Sequence, residues 1–166
     1  MRFPNVAREI DARAKVDQDM RLGLDKGGIW DHEIDPANTA WMREVVKKIG
    51  WPTISKVGKL SASNAWLLVQ HADLAVDFQE HCLALMEAEP AEEVDRRQIA
   101  MLTDRVRVNT GRPQIYGTQF CQQRGKHIPR EIEDPEHVDE HRARMGLGTL
   151  EQGIASMYKS YGVPKS

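Results

Sequence analysis

The chain has 166 residues, a length typical of one domain with one hydrophobic core. Hydrophobic residues make up 40% and charged residues 29%, and the formal net charge of −2 argues against binding to nucleic acid or to an anionic membrane surface. No apolar run approaches the roughly 18 residues of a membrane span, and the N-terminal MRFPNVAREIDARAK lacks the apolar core of a secretory signal. Cys82 and Cys121 form no CxxC motif, as is typical of free thiols in a reducing compartment. The sequence therefore predicts a cytoplasmic protein of one domain, residues 1–166, without nucleic-acid or membrane partners.

The first part of the chain carries helical patterns separated by glycine and proline. Residues 5–22 place apolar side chains roughly on one helix face, and DKGGIW at residues 25–30 breaks this pattern. A second helix is predicted to begin at Asp35-Pro36, because aspartate can cap a helix and proline suits its first position. Gly50 ends this helix, and GWPTISKVGKL at residues 50–60 is predicted to be a loop.

Two further helices are predicted in the middle of the chain. Ser61 or Ser63 can cap the first, which bends near Asp73 and runs to about Glu89, where a proline follows. The second covers residues 91–109, and a glycine and a proline close it.

The composition changes after residue 113. Residues 114–132, QIYGTQFCQQRGKHIPREI, favour a β-hairpin with a turn at Arg124-Gly125. Asp134-Pro135 then opens a capped helix that ends at Gly146 or Gly148, and residues 149–161 form the last helix. The predicted fold class is mainly α: a single helical bundle-like domain with a small β-hairpin near its C-terminal third.

Polar side chains occur at helix positions with apolar neighbours. The residues three and four positions away from His71 are all apolar, namely Leu67, Leu68, Leu74 and Ala75. This histidine is therefore expected to face the core or a pocket within it. Three of the four such neighbours of Asp104 are apolar, and the adjacent Arg105 also lies beside Met101, Leu102 and Val108. Buried charges need partners, so Asp104 or Asp73 is expected to pair with His71, or Asp104 with an arginine. A carboxylate that orients an imidazole is the basis of general acid–base sites, although a histidine on an apolar face is commonly a structural core residue.

The segment QIYGTQF, residues 114–120, offers a third group of polar side chains. In a strand, Gln114, Tyr116 and Thr118 would face one way. Gly117 suits a bulge or the close approach of a ligand. Gln114, Tyr116 and Gln119 offer neutral hydrogen bonds for a polar small molecule, and an ordinary hairpin with polar edge residues is the alternative.

EHVDEHR, residues 136–142, contains the H-x-x-E-H order of some zinc peptidases at His137 and His141. The surrounding EDPEHVDEHRAR is typical of a solvated helix surface rich in ion pairs, and only 25 residues follow His141. We therefore predict no metal site. No organic cofactor motif is present either, so no cofactor is predicted.

The order of the motifs GWPT, QHAD, DRV and YGTQ resembles an uncharacterised bacterial family classed as a domain of unknown function. The resemblance covers roughly residues 16–150, and Asp17-Gln18 with Arg21 and the segment at residues 144–147 also fit. It implies candidate positions and no particular reaction, and His137 and His141 fall where the family pattern has arginines. The matching residues are mostly polar, which favours a shared pocket, and they are Trp51, Pro52, Gln70, His71, Asp73, Gln79, Asp104, Arg105, Gln114, Tyr116, Gly117 and Gln119.

The sequence thus predicts a small enzyme that acts on a polar small molecule by hydrolysis, group transfer or elimination. His71 is the expected general acid or base, and Asp104 or Asp73 is expected to orient it. Arg105 is expected to hold an anionic or carbonyl group of the substrate. The remaining substrate-binding candidates are Gln70, Gln79, Gln114, Tyr116 and Gln119. Two alternatives to an enzyme stay open. The chain could be a non-catalytic module that binds a small ligand or a protein partner in the same pocket, or the polar residues could only join the helices to the hairpin. A homo-oligomer is also possible.

Overall fold

The computed structural model describes residues 1–24 and 27–162, so Asp25 and Lys26 of the predicted break lie outside the described residues. The described residues are 62% helical and contain one antiparallel two-stranded hairpin at residues 120–129, which confirms the predicted mainly α fold class. Two compact units are present, unit 1 at residues 1–95 and unit 2 at residues 96–166, and each is described by itself. The single domain stays a prediction. None of the described helices has the length and apolarity needed to cross a membrane.

Unit 1 is built from helices. They are α1 (Pro4–Leu24), α2 (Ile34–Ile49), α3 (Ile54–Val57), α4 (Lys59–Gln70) and α5 (Val76–Ala88). Helix α1 packs against α4 and α2, and α4 also contacts α5. Apolar residues from these helices are fully or almost fully buried and form the core of the unit, among them Ile10, Ala14, Met42, Val57, Leu68, Val69, Phe78, Cys82 and Met86.

Two predicted helix starts in unit 1 were wrong because the expected capping side chains bind elsewhere. Helix α2 begins at Ile34 with Glu33 in the capping position, while both oxygens of Asp35 bind Arg21 at 2.7 and 2.9 Å. The predicted loop at residues 50–60 contains α3, and α4 begins at Lys59, before either serine. Ser61 does not cap this helix, because its hydroxyl donates a hydrogen bond to Asp11.

The predicted single helix through residue 89 is interrupted between α4 and α5. Helix α4 ends at Gln70, and α5 begins at Val76. The side-chain amide of the buried Gln79 donates to the carbonyl oxygens of Val69 and Gln70 at 3.1 and 3.2 Å. The last carbonyl groups of a helix have no partner within it, so Gln79 satisfies groups that a continuing helix would bond internally. As a result Leu74 is 92% exposed and does not join His71 on a buried helix face.

The segment between α5 and residue 96 is also not helical, although a helix was predicted from residue 91. Glu93 is engaged with the start of α3 instead. Its carbonyl oxygen accepts the amide hydrogen of Ile54 at 3.1 Å, and its carboxylate accepts that of Ser55 at 2.8 Å. These bonds fix Glu93 in a turn, because they satisfy the unpaired amides at the N-terminus of α3.

Unit 2 combines helices with the hairpin. Its elements are α6 (Arg96–Asn109), β1 (Phe120–Gln123), β2 (Lys126–Pro129), α7 (Val138–Arg144) and α8 (Leu150–Tyr161). The strands pair antiparallel with Cys121 opposite Ile128, and the turn at Arg124-Gly125 is confirmed. Helix α7 begins at residue 138, later than predicted. Asp134 does not cap this helix, because its carboxylate binds the side chain of His137. Thr149 caps α8 and forms a capping box with Gln152, in agreement with the predicted last helix.

QIYGTQF was predicted to form a strand, and most of it does not. Only Gln114 makes an isolated bridge, to Ile132, before β1 begins at Phe120. The backbone amides of Ile115, Tyr116 and Thr118 donate instead to the fully buried carboxylate of Asp104. In a strand, backbone amides donate hydrogen bonds to a neighbouring strand. Here they donate to the buried carboxylate of Asp104, and the segment forms a loop instead of a sheet edge.

Gly117 lies at the centre of this loop with a φ of +64°, a conformation that favours glycine. A Cβ atom here would lie 2.7 Å from Cδ1 of Leu150 and 3.1 Å from Cδ1 of Ile132. We expect Gly117→Ala to lower the free energy of unfolding by about 2 kcal/mol, from backbone strain and overpacking together. Gly111→Ala is the matched control, because Gly111 has a φ of +73° but nothing within 4 Å of its Cβ position. Urea unfolding of both variants tests this: equal losses would show that only backbone strain acts at Gly117.

Candidate functional site

A buried carboxylate in unit 1 holds the histidine that the sequence singled out. Asp17 continues the buried face of α1 after Ile10 and Ala14, and it is 0% exposed. Its two oxygens lie 2.9 and 3.1 Å from Nδ1 of His71. His71 is the C-cap residue that follows α4, and its side chain keeps 17% of its surface exposed. Asp17, and neither predicted aspartate, is therefore the carboxylate that contacts Nδ1.

Arg21 extends this pair into a network across α1 and α2. One turn after Asp17, Arg21 donates from Nε to Asp17 at 3.1 Å and from Nη2 to both oxygens of Asp35. Gln18 donates its amide to the second oxygen of Asp17 at 2.8 Å. The guanidinium of Arg21 also lies over the ring of Trp30, 4.8 Å from its centroid, where a cation–π attraction adds to the ion pairs.

The two carboxylates of this network have opposite pKa shifts. Burial alone would raise the pKa of Asp17, but the hydrogen bond and charge of His71, with Gln18 and Arg21, outweigh it and lower the pKa to about 2. Burial raises the pKa of Asp35 above its ordinary value; Arg21 opposes this, whereas the nearby Asp17 adds to it. Asp17 therefore stays ionised beside the imidazole.

A cavity of about 530 Å³ opens beside the network, within the range of small-molecule pockets. His71, Arg21 and Asp35 line it together with Asp73 and several apolar residues, which are Trp30, Pro36, Ala40, Leu74 and Ala75. Arg43 contributes a further charge to the wall, and its Nη2 atom contacts both oxygens of Asp77. The cavity thus combines apolar surface with a few polar groups, as ligand-binding pockets do.

This arrangement favours one tautomer of the neutral imidazole. The ionised Asp17 accepts a hydrogen from Nδ1, which leaves Nε2 of a neutral His71 with a lone pair. Within the described residues, no group forms a hydrogen bond with Nε2. A carboxylate-oriented imidazole with a free second nitrogen is suited to accept and return a proton.

The same groups could be considered as metal ligands. Ligand atoms of Asp17, Asp35 and His71 lie within 4.8 Å of one another. Arg21, however, already contacts both carboxylates, at 3.1 and 2.7 Å. A divalent cation would have to displace this guanidinium, so the donor set fits an ion-paired network better than a metal site.

Three other predicted site residues belong to unit 1. The amide of Gln79 lies 3.4 Å from Asp73 and also binds the end of α4. Asp73 lines the cavity. Gln70 is buried, and its Oε1 atom has no hydrogen-bond partner in the described part of the chain. The structure therefore places His71 and Asp73 together on the cavity wall.

The remaining predicted site residues belong to unit 2, around the loop at residues 115–118. Asp104 accepts hydrogen bonds from three backbone amides and from the hydroxyl of Thr118. Gln114 bonds to the backbone of Gln119 and Arg130, and Arg105 donates to the side chain of Gln119 at 3.0 Å. Tyr116 lies in the same loop, and its carbonyl oxygen accepts from Arg142. Their sharing of one pocket with His71 stays a prediction.

The histidines of the H-x-x-E-H segment contact an aspartate. Nδ1 of His137 lies 3.0 Å from Asp134, and Nε2 of His141 lies 3.8 Å from the same carboxylate. The hydrogen bond and charge of Asp134 raise the pKa of His137, and His137 in turn lowers that of Asp134. These contacts are typical of a surface ion-pair cluster.

Asp17, Arg21 and Asp35 were not among the predicted site residues. Asp17 lies seven positions after Ile10 and three after Ala14, so helical spacing places it on the buried face. Arg21 follows at the i,i+4 spacing of a helical ion pair. The resemblance also included Asp17 and Arg21. These signals marked both residues, but the tertiary partner of each was not visible in the sequence.

Fold and site together define a mainly helical protein with a carboxylate–histidine pair beside a cavity of about 530 Å³. A family model described as a family of unknown function, DUF6624, matches residues 4–165, so the chain belongs to that family. This confirms the predicted resemblance to a domain of unknown function. No curated protein and no solved structure is significantly similar to the chain.

Proposed function

We propose that this chain is a small cytoplasmic enzyme that uses His71 as a general acid or base on a polar small molecule. The observation that carries the proposal is the contact of Nδ1 of His71 with the fully buried Asp17, beside a cavity of about 530 Å³. Asp17 takes the orienting role that the sequence suggested for Asp104 or Asp73. The reaction classes remain hydrolysis, group transfer and elimination, all of which use a positioned proton carrier.

The surrounding residues have supporting roles in this proposal. Asp17 keeps the Nδ1 hydrogen in place and stabilises the imidazolium when Nε2 accepts a proton. Arg21 and Asp35 fix the position of Asp17 through their mutual ion pairs. The ring of Trp30 and the apolar side chains of Pro36 and Ala40 would contact the less polar part of the ligand.

A non-catalytic binding protein is the second candidate, and it would use the same cavity. The apolar character of much of the wall, with Trp30, Leu74 and Ala75, favours this alternative. Binding alone needs shape and a few polar contacts, whereas catalysis also needs the proton-carrying nitrogen of His71. Replacing that nitrogen therefore separates the two functions.

The test is an incubation of the purified full-length chain with a metabolite extract, followed by mass spectrometry of the mixture. His71→Gln removes the ring nitrogen but keeps an amide that can donate to Asp17, so the fold should survive. His137→Gln is the matched control, because His137 is exposed and binds Asp134 at the surface of unit 2. We expect the wild type and His137→Gln to deplete the same compound and His71→Gln to lose at least about a hundredfold in rate, the scale of general acid–base catalysis.

Thermal unfolding with the same extract distinguishes the remaining outcomes, because a ligand that binds only the folded state stabilises it. Stabilisation without any change in mass would favour the binding protein and reject catalysis. If neither stabilisation nor turnover is observed, the network of Asp17, Arg21 and His71 serves only to join the helices of unit 1. Equal turnover by wild type and His71→Gln would remove His71 from the mechanism.

A further inference from the structure

A second cavity lies within unit 2 and has a different chemical character. Its volume is about 460 Å³, which suits a small organic ligand. The apolar part of its wall is formed by Met101, Phe120, Leu147 and Met157. Two arginines, Arg97 and Arg142, also line it, and none of its described lining residues is acidic. The charge on the wall is therefore positive.

Arg142 is buried to an unusual degree for a guanidinium, with 5% of its surface exposed. Its Nε atom donates to the carbonyl oxygen of Gly148 and its Nη1 atom to that of Tyr116, both at 2.6 Å. These are neutral acceptors, and among the described residues no carboxylate forms an ion pair with Arg142. Burial lowers the pKa of Arg142, while Asp139 and Asp104 oppose this effect from a distance.

The third nitrogen of Arg142 lies close to a glycine of α8. The Nη2 atom lies 2.9 Å from the position that a Cβ atom on Gly153 would occupy. It has no hydrogen-bond partner within the described part of the chain, although both neighbouring nitrogens have one. The guanidinium of arginine has five N–H donors, and these two hydrogen bonds use two of them, so both N–H groups of Nη2 are among the three that remain for an acceptor.

We propose that the cavity of unit 2 binds a small amphipathic carboxylate, with its charged group at Nη2 of Arg142 and its apolar part against Met101, Phe120 and Met157. A carboxylate supplies one negative charge and the acceptor oxygens that a guanidinium prefers. The apolar walls would impose a high desolvation cost on a compact dianion such as phosphate, which carries no apolar part to offset it. This site shares no lining residue with the cavity beside His71, and the proposal does not depend on the function proposed there.

The test uses 4-phenylbutyrate as the probe, with its uncharged analogue 4-phenylbutanamide and inorganic phosphate for comparison. Each is titrated into the 15N-labelled full-length chain, and the amide signals of Gly117, Gly148 and Gly153 report on the cavity wall. We expect saturable shifts at these glycines with 4-phenylbutyrate and an affinity at least about tenfold lower for the amide analogue. We expect no saturable shifts with phosphate.

Variants then locate the bound probe. Arg142→Gln should weaken binding by at least about tenfold, but it also breaks the bonds to Tyr116 and Gly148, so the fold needs a separate check. Ser156→Trp avoids this problem, because Ser156 is an exposed residue on the cavity wall, where an indole would block the space. Ser160→Trp is its matched control, one turn further along α8 and also exposed.

Binding that is lost in Ser156→Trp and retained within about twofold in Ser160→Trp would support the proposal. Three results would each overturn it. The first is the absence of saturable shifts up to about 10 mM probe. The second is equal affinity for acid and amide, which would show an apolar cavity without anion recognition. The third is saturable binding of phosphate without binding of 4-phenylbutyrate.

Discussion

Asp104→Ala is expected to destabilise the chain by about 3–5 kcal/mol, the range for removing one member of a buried, hydrogen-bonded charged network. The carboxylate is fully buried and accepts the amide hydrogens of Ile115, Tyr116 and Thr118 together with the Thr118 hydroxyl. Alanine would leave three backbone donors without an acceptor, and each unsatisfied donor costs about 1–3 kcal/mol. Urea unfolding followed by circular dichroism measures the loss, and hydrogen exchange at these three amides shows where it arises.

Asp139→Ala is the matched control for this variant. Asp139 is exposed and accepts one backbone hydrogen bond, from Leu150 at the start of α8 at 2.7 Å. Loss of a single bond at a helix N-terminus costs about 1 kcal/mol. If Asp104→Ala lost no more stability than Asp139→Ala, the loop at residues 115–118 would not depend on the buried carboxylate.

Asp17→Asn is expected to destabilise the chain at neutral pH by about 2 kcal/mol and progressively less as the pH falls. The pKa of Asp17 in the folded protein is about 2, below its ordinary value of 3.8. A depressed folded-state pKa gives stability that is fully present above about pH 4 and is lost as the pH falls towards 2. Asparagine lacks this contribution at every pH. The difference in the free energy of unfolding between wild type and variant should therefore become smaller as the pH falls from about 4 towards 2.

The measurement is the free energy of unfolding of both proteins at several pH values between 7 and 2.5. Asp19→Asn serves as the control, because Asp19 lies on the same helix but is exposed and pairs with Lys15 at the surface. We expect Asp19→Asn to change stability by less than about 1 kcal/mol, as for other exposed ion pairs. If the free energies of unfolding of wild type and Asp17→Asn differed by the same amount at every pH in this range, the lowered pKa of Asp17 would be contradicted.

The family membership and the mainly helical fold could both be predicted from local patterns. The turn at Arg124-Gly125 could be predicted because glycine acts on its own neighbours, and the last helix was also predicted at nearly its observed bounds. Helix starts at Asp35 and Asp134 were misplaced for the opposite reason. Each aspartate could cap a helix locally, but Arg21 and His137 respectively bind its carboxylate.

The predicted site shows the same division between local and distant information. His71 and Asp104 were predicted as site residues because each is a polar residue with apolar neighbours at helical spacing. Their contacts could not be predicted in this way, because Asp17 is 54 positions from His71 and Ile115 is 11 positions from Asp104. Asp17 itself lay on a recognisable buried face, yet its contact with His71 depends on the interruption of the helix at residues 71–75, where the sequence predicted only a bend near Asp73.

The sequence by itself determined the mainly helical fold class, the position of the hairpin turn and the family to which the chain belongs, because these depend on neighbouring residues and on motif order. Only the tertiary structure decided which groups the buried aspartates contact. Gln79 binds the end of α4 and so stops it, which leaves His71 at the helix end where Asp17 of α1 reaches Nδ1. Asp104 likewise accepts hydrogen bonds from the backbone amides of Ile115 and Thr118, so that the segment predicted as a strand forms a loop. Buried polar groups must find partners, and the three-dimensional packing determines which partners lie within reach.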